Sequence, residues 1–353
     1  MYAKGNDMNL PSTLQQLGWQ AFFQQQLNLQ EFENAVIARV TAHHRSSYEL
    51  MTVGGACSLM ANPTLPQITI GDWLLLDTAG RFIRLLARKS LFKRKAAGSQ
   101  LAEQLIAANV DTLIIVCSLN HDFNLSRIER YLTLAHEAGA EPLLVLTKMD
   151  LCSDVEAYLQ QVKQLDPMLM VETVNALDIS CSHILQPWCK AGSTLAVVGS
   201  SGVGKSTLVN TLTDNSEQKT AEVRSDDSKG RHTTTARSMH FIAAGAVVID
   251  TPGMRELQLT DCDDGIRRTF ADIESLARHC RFNDCQHFAE PGCAVQQAIA
   301  QGDLDARRLT NYQKLNAEQA RNTASLQVRR AQARQFSKMV KSVKSLKTRK
   351  YID

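Results

Sequence analysis

The chain has 353 residues, 44% of them apolar, enough for two or three domains with real cores. No eighteen apolar residues run together, which excludes a membrane-spanning helix. Its net charge is only +3, and nine cysteines, an odd number with no signal peptide, point to a reducing cytoplasm rather than to disulfides.

Residues 1–33 are rich in glutamine and read as an appended helix. From 34 to 95, strand-like runs at 36–40, 48–53, 73–76 and 82–86 are broken by Gly54-Gly55, Asn62-Pro63, Gly71-Asp72 and Gly80. Short strands separated by turns suit a small β-barrel, and composition does not say which kind. Arg81, Arg84, Arg88, Lys89, Lys93, Arg94 and Lys95 form a basic exit from it, suited to a nucleic-acid backbone.

Further on, the apolar run Leu143-Leu144-Val145-Leu146 reads as a buried strand and leads into Thr147-Lys148-Met149-Asp150. A carboxylate there can accept hydrogen bonds from N1 and the 2-amino group of guanine. Adenine lacks that donor pair and would leave Asp150 unpaired. The Lys148 stem can lie along the base. Lys-x-Asp is common after strands, so the motif gains its weight from its neighbours. Asn175-Ala176 could present a backbone N–H to guanine O6.

The strongest neighbour is Gly199-Ser200-Ser201-Gly202-Val203-Gly204-Lys205-Ser206-Thr207, which follows a second buried strand at 195–198. The pattern G-x-x-x-x-G-K-S lets backbone N–H groups close around phosphates. Lys205 can reach the β- and γ-phosphates, and the Ser206 hydroxyl can ligate Mg²⁺. A Gly/Ser-rich turn that binds nothing would need neither the strand before it nor the apolar Leu208 and Val209 after it.

The polar stretch 224–235 includes Lys229-Gly230-Arg231-His232-Thr233-Thr234-Thr235 and suits a switch whose threonine completes the Mg²⁺ shell. Thr234 is taken for that ligand, although sequence does not separate the three threonines. Past a strand at 245–249, Asp250-Thr251-Pro252-Gly253 can hold Mg²⁺ through water and bond the γ-phosphate by the Gly253 N–H. Met254 cannot orient a water. His232 is therefore assigned the attacking water, against the alternative of a solvated loop residue.

Cys280-x₄-Cys285-x-His287-x₅-Cys293 brings three thiolates and an imidazole together, a closed tetrahedral set for one structural Zn²⁺. His279 is the rival ligand, and scattered buried thiols are the plainer alternative. The segment 257–315 is too small to hold itself together without a metal. Ten of the 39 Lys and Arg residues then lie between Arg321 and Lys350 with no acid among them, so the rest of the chain is net acidic. Ala331, Ala333, Phe336, Met339, Val340 and Val343 recur there and suggest a basic helix. RNA phosphates are the expected partner, and a solvated helix is the alternative.

In this order (base reader, P-loop, Gly230-Arg231-His232-Thr233-Thr234-Thr235, then Asp250-Thr251-Pro252-Gly253) the motifs resemble those of circularly permuted bacterial GTPases. More closely, the chain resembles the ribosome small-subunit-dependent GTPase A family. Phe123-Asn124-Leu125, Arg130-Tyr131-Leu132 and the cysteine cluster extend the likeness over about residues 34–345. Permutation keeps the pocket, because every motif sits at the carboxyl end of a strand whatever the chain order. Thr147 stands where the family usually has Asn, and its hydroxyl can still tie the base loop to the P-loop. Asn175 replaces the usual Ser, which bears only on the guanine-O6 contact.

The resemblance implies a multidomain α/β protein. An N-terminal extension (1–33) precedes an OB-fold RNA-binding domain (34–95) and a circularly permuted P-loop GTPase α/β domain (96–256). A helical zinc-binding domain with a basic C-terminal helix (257–353) completes it. The zinc ligands it implies are the same four residues. It further implies a cytoplasmic, monomeric GTP hydrolase that binds the small ribosomal subunit and its rRNA in late maturation. Turnover would be slow alone and stimulated by the ribosome, with hydrolysis promoting release, and Mg²⁺ would accompany GTP. The alternative is a GTP-regulated RNA-binding assembly module with negligible turnover. A metabolic P-loop kinase would leave the cysteine cluster and basic tail unexplained.

Overall fold

The chain enters its fold through short pieces rather than one helix. A computed structural model describes residues 13–95, 103–213, 238–242, 245–250 and 261–323. Gly18, left-handed at φ 91°, ends a 3₁₀ turn at Gln15–Leu17. Helix α1 covers Ala21–Gln24, and a capping box of Asn28 with Glu31 opens α2 (Leu29–Asn34). The single appended helix expected from composition is thus broken at Gly18 and Asn28. Leu17 and Phe23 bury themselves against Trp73, Leu75 and Leu86.

Strands β1 (Val36–His43), β2 (Ser47–Thr52), β3 (Gly55–Met60), β4 (Trp73–Leu76) and β5 (Phe82–Leu85) form an antiparallel sheet of order β3-β2-β1-β4-β5. The four expected runs are all strands. β3 was not anticipated, because its side chains are mostly exposed and carry no apolar alternation. Ala38, Val40, Leu50, Leu74 and Leu76 pack one face, while Trp73 and Leu75 turn to α1 on the other.

The basic exit from this sheet meets acids of the chain itself. Arg81 pairs with Asp77 at 2.6 Å, Arg84 with Glu31 at 2.6 Å, and Arg88 with Asp72 at 2.7 Å. Lys89 pairs with Asp111 at 2.7 Å and Lys93 with Glu103 at 2.9 Å.

An antiparallel ribbon of β6 (Leu91–Lys95) and β7 (Glu103–Ala108) leads to the main sheet. There follow β8 (Thr112–Ser118), α3 (Leu125–Ala138), β9 (Glu141–Thr147), a 3₁₀ turn (Met149–Leu151) and α4 (Val155–Leu165). Next come β10 (Met170–Thr173), α5 (Ser180–Leu185), β11 (Thr194–Gly199), α6 (Lys205–Thr213), β12 (Ser238–Phe241) and β13 (Val247–Asp250). Sheet order is β10-β9-β8-β11-β13-β12, parallel except that β12 runs against β13. β8 and β11 are buried along their whole length, as strands covered on both faces must be. The chain winds outward from β8 toward β9 and from β11 toward β13. The crevice of such a sheet opens where that winding reverses, at the carboxyl ends of β8 and β11.

Helices α7 (Asp263–Thr269), α8 (Ala271–Ala277), α9 (Ala294–Gln301) and α10 (Ala306–Thr323) form the last unit. Gly265 lets α7 lie directly on α3, since a Cβ there would meet the Thr133 carbonyl oxygen at 2.3 Å. Ile266, Phe270, Val295 and Leu309 share one apolar core with Ile128 and Leu132 of α3 and Leu113 of the sheet. Among the described residues no helix is long and apolar enough to cross a membrane. The basic helix expected beyond α10 lies outside the described residues.

Candidate functional site

The P-loop takes its shape from glycines held at positive φ. Gly199 ends β11 at φ 146°, and a Cβ on it would lie 2.3 Å from the Val116 carbonyl oxygen of β8. Gly204, at φ 95°, faces the Thr147 hydroxyl and the Ala176 methyl instead. Helix α6 then starts at Lys205, pointing its amino end at the loop. Lys205 is buried, and its Nζ rests on the Ser200 carbonyl oxygen. Ser206 and Thr207 are half-buried in the first turn, while Ser201 and Gly202 are exposed.

The segment 147–150 is tied to this loop by two hydrogen bonds. Thr147 Oγ1 donates to the Val203 carbonyl at 2.6 Å, and Lys148 Nζ donates to the Gly202 carbonyl at 2.9 Å. Lys148 is left-handed at φ 60°, which turns Met149 and Asp150 out of the strand into an exposed 3₁₀ turn. A third tie runs from Thr211 Oγ1 of α6 to the Ala176 carbonyl at 2.8 Å. Asn175 Oδ1 accepts from the Leu177 N–H at 3.0 Å and so shapes its own turn. Segments 52 residues apart in sequence, from Thr147 and from Gly199, therefore meet at one end of the sheet.

Asp250 closes β13 beside β11, and only its backbone is described. His232, Thr234 and Gly253 lie outside the described residues. Sequence reasoning named Phe123-Asn124-Leu125 in the loop after β8 only for the family likeness and passed over Arg127. There Asn124 caps α3 through a bond from the Arg127 N–H at 3.0 Å, and Arg127 Nη1 contacts the Ser200 hydroxyl. The buried run Leu113-Ile114-Ile115-Val116, ahead of Asn120 and Asp122, was the signal for that strand end.

A second cluster forms in the helical unit. Cys280, Cys285, His287 and Cys293 offer donor atoms that all lie within 4.8 Å of one another and could hold a metal ion. Cys280 Sγ is 3.8 Å from Cys293 Sγ and 3.6 Å from His287 Nδ1, which is 3.4 Å from Cys293 Sγ. Left-handed backbone at His287 (φ 59°) and Gly292 (φ 77°) folds the loop back on itself. The rival His279 is exposed and bonds the Ser275 carbonyl at 3.0 Å, outside the cluster. By contrast Cys181 and Cys189 lie buried outside this cluster, and burial pushes both thiols up to about 11.

The helical unit is also clamped to α3 by charge. Fully buried Glu129 accepts from Arg307 Nη1 at 2.9 Å, Arg308 Nη1 at 2.9 Å and Asn311 Nδ2 at 2.5 Å. Burial opposes the charge on Arg308, but Asp272 and Glu129 beside it hold its pKa above the ordinary value. Arg130 pairs with Glu318 at 2.6 Å on the next turn of contact.

The RsgA GTPase family model matches residues 85–260, the stretch that carries both nucleotide motifs. A protein of Vibrio parahaemolyticus serotype O3:K6, named "Small ribosomal subunit biogenesis GTPase RsgA 2", is 59% identical over 337 residues, covering 96% of this chain and 94% of that relative. The chain belongs to the RsgA GTPase family. Two solved structures share its fold. YjeQ from Thermotoga maritima matches with a TM-score of 0.57 at 23% identity, over 80% of this chain and 97% of that one. YloQ, described as a circularly permuted GTPase, matches with a TM-score of 0.57 at 21% identity, over 83% and 97%. A circularly permuted GTPase fold thus accounts for the Thr147–Asp150 segment at the end of β9 preceding the P-loop strand, β11, in the chain.

Proposed function

We propose that this chain is a GTP hydrolase that acts on the small ribosomal subunit in its late maturation, as a single copy in the cytoplasm. The observation that carries the nucleotide half is the pair of bonds from Thr147 and Lys148 to the P-loop carbonyls. They support one pocket that reads base and phosphates together. In it Asp150 accepts from guanine N1 and the 2-amino group, with Asn175 and Ala176 bordering O6. Backbone N–H groups of residues 199–207 and the Lys205 ammonium hold the phosphates. Ser206, Asp250 and Thr234 would hold Mg²⁺, which supplies charge neutralisation at the β- and γ-oxygens. On the sequence pattern alone, the Gly253 N–H meets the γ-phosphate and His232 orients the attacking water.

The metal of the cysteine cluster is proposed to be Zn²⁺. A tetrahedron with bonds of about 2.3 Å to sulfur and about 2.0 Å to nitrogen has edges of about 3.8 Å between sulfurs and about 3.5 Å between sulfur and nitrogen. The spacings of 3.8, 3.6 and 3.4 Å among Cys280, His287 and Cys293 fit it. With no open position the ion's role is structural. The strand order β3-β2-β1-β4-β5 supports an OB-like domain over 34–95, because bringing β3 to β5 would close that sheet into a barrel. On this reading 96–256 is the GTPase domain, 257–353 the zinc domain, and the basic tail meets rRNA phosphates. The relative's name, with 59% identity over nearly the whole chain, carries the ribosomal half.

Nucleotide titration tests the pocket. GTP should bind tightest, inosine triphosphate (which lacks the 2-amino group) more weakly, and ATP weakest, while Lys205→Ala abolishes binding of all three. Equal affinity for ATP and GTP would overturn the assignment of Asp150.

A further inference from the structure

Two cations converge on one P-loop residue. Lys205 Nζ rests on the Ser200 carbonyl, and Arg127 Nη1 rests on the Ser200 hydroxyl. Lys205 reaches the β- and γ-phosphates in a loop of this kind, so Ser200 marks the terminal-phosphate end of the site. Arg127 does not serve its own helix. It sits in the first turn of α3, where the helix dipole disfavours a cation.

Its guanidinium is held, but incompletely used. Nη1 donates to Asp122 Oδ1 at 2.7 Å and to the Asp122 carbonyl at 3.2 Å. Among the described residues Nε and Nη2 have no partner, so most of the five N–H donors remain available. Asp122 holds the guanidinium at Nη1 alone, through Oδ1 and its backbone carbonyl, and its buried Oδ2 has no hydrogen-bond partner among the described residues. With every contact on Nη1, Nε and Nη2 stay open to a ligand, and the side chain is 36% exposed.

We infer that Arg127 is a phosphate-contacting residue, donating Nε–H and Nη2–H to the γ-phosphate oxygens of bound GTP while Asp122 and Ser200 steady it. The inference rests on the proposed nucleotide pocket. An arginine supplied from within the chain at this point favours triphosphate over diphosphate, because GDP has no γ-oxygens for it to meet.

The experiment is calorimetric titration of the full chain with GTPγS and GDP, for wild type, Arg127→Ala, Arg127→Gln and Arg127→Lys. Arg127→Ala and Arg127→Gln should weaken GTPγS about tenfold, the size of one charge-assisted hydrogen bond, and leave GDP within about twofold. Arg127→Lys should recover part of the loss, since a point charge replaces the fork. Equal weakening of both nucleotides would assign Arg127 to holding the loop, and no change in either would remove it from the site. Both results overturn the inference while sparing the pocket. A wild-type chain that binds neither nucleotide would overturn the pocket as well. Arg127→Gln keeps most of the stem, so an unfolded alanine variant does not decide the matter.

Discussion

Around the P-loop, β8, β9 and β11 are joined by backbone ladders and aliphatic side chains, and Thr147 and Lys148 bond to backbone carbonyls. Around α10, the contacts that matter are side-chain charges: Arg307 and Arg308 on buried Glu129, Arg130 on Glu318, and a knot of thiols and imidazole nearby. One end is rigid because its backbone has nowhere else to go. The other is held by side-chain groups that a single substitution can remove. A nucleotide pocket needs the first kind of construction, since its N–H groups must stay aimed at phosphates.

The comparison breaks most visibly at the metal. Chelation, or Cys285→Ser, should take the bound metal from one equivalent per chain to none, measured by elemental analysis. Loop 280–293 should then become protease-sensitive. GTP affinity should hold within about threefold, because apolar contacts keep α7 on α3. A parallel collapse of nucleotide binding would show that the two ends are not separable.

Glu129→Ala comes next. It strands two buried or half-buried arginines and should cost about 3–5 kcal/mol in denaturant unfolding. Gly199→Ala attacks the rigid end: φ 146° and a carbonyl 2.3 Å from the new Cβ predict a loss of about 1–3 kcal/mol and weak nucleotide binding together. Thr147→Val removes the Val203 bond and should cost about 1 kcal/mol, with Thr147→Asn restoring GTP affinity where valine does not.

The smallest effect is at α2. The Arg84 side chain, with the Asn28 N–H, lowers the Glu31 carboxyl to about 2 from an ordinary 4.5. A depressed carboxylate stabilises fully above its unfolded value and loses that contribution as pH falls from about 4.5 toward 2. Glu31→Gln should remove that slope from an acid titration of unfolding, at a cost of under about 1 kcal/mol at neutral pH.

Much of the rigid end was legible because backbone demands leave marks in sequence. Gly199, Gly204 and the apolar runs at 143–146 and 195–198 could hardly mean anything else, and Cys280, Cys285, His287 and Cys293 carry their own spacing. The charged clamp left no such mark. Glu129 reads as one more exposed helix acid until α10 is laid on α3, and Arg307 and Arg308 look like solvated charge. Pairing partners 178 and 179 residues apart are set by topology, which local pattern does not encode. The same holds for Arg88 and Lys89 of the basic exit, whose partners Asp72 and Asp111 lie 16 and 22 residues away. Arg127 was passed over because its meaning depends on Ser200, 73 residues away.

The most direct measurement is GTP hydrolysis by the full chain, alone and with isolated small ribosomal subunits, with ATP as control. A slow basal rate that rises strongly with the small subunit, for GTP and not ATP, is the predicted result. GTP binding with turnover near zero in both conditions would contradict it, and would leave a GTP-regulated RNA-binding module in its place.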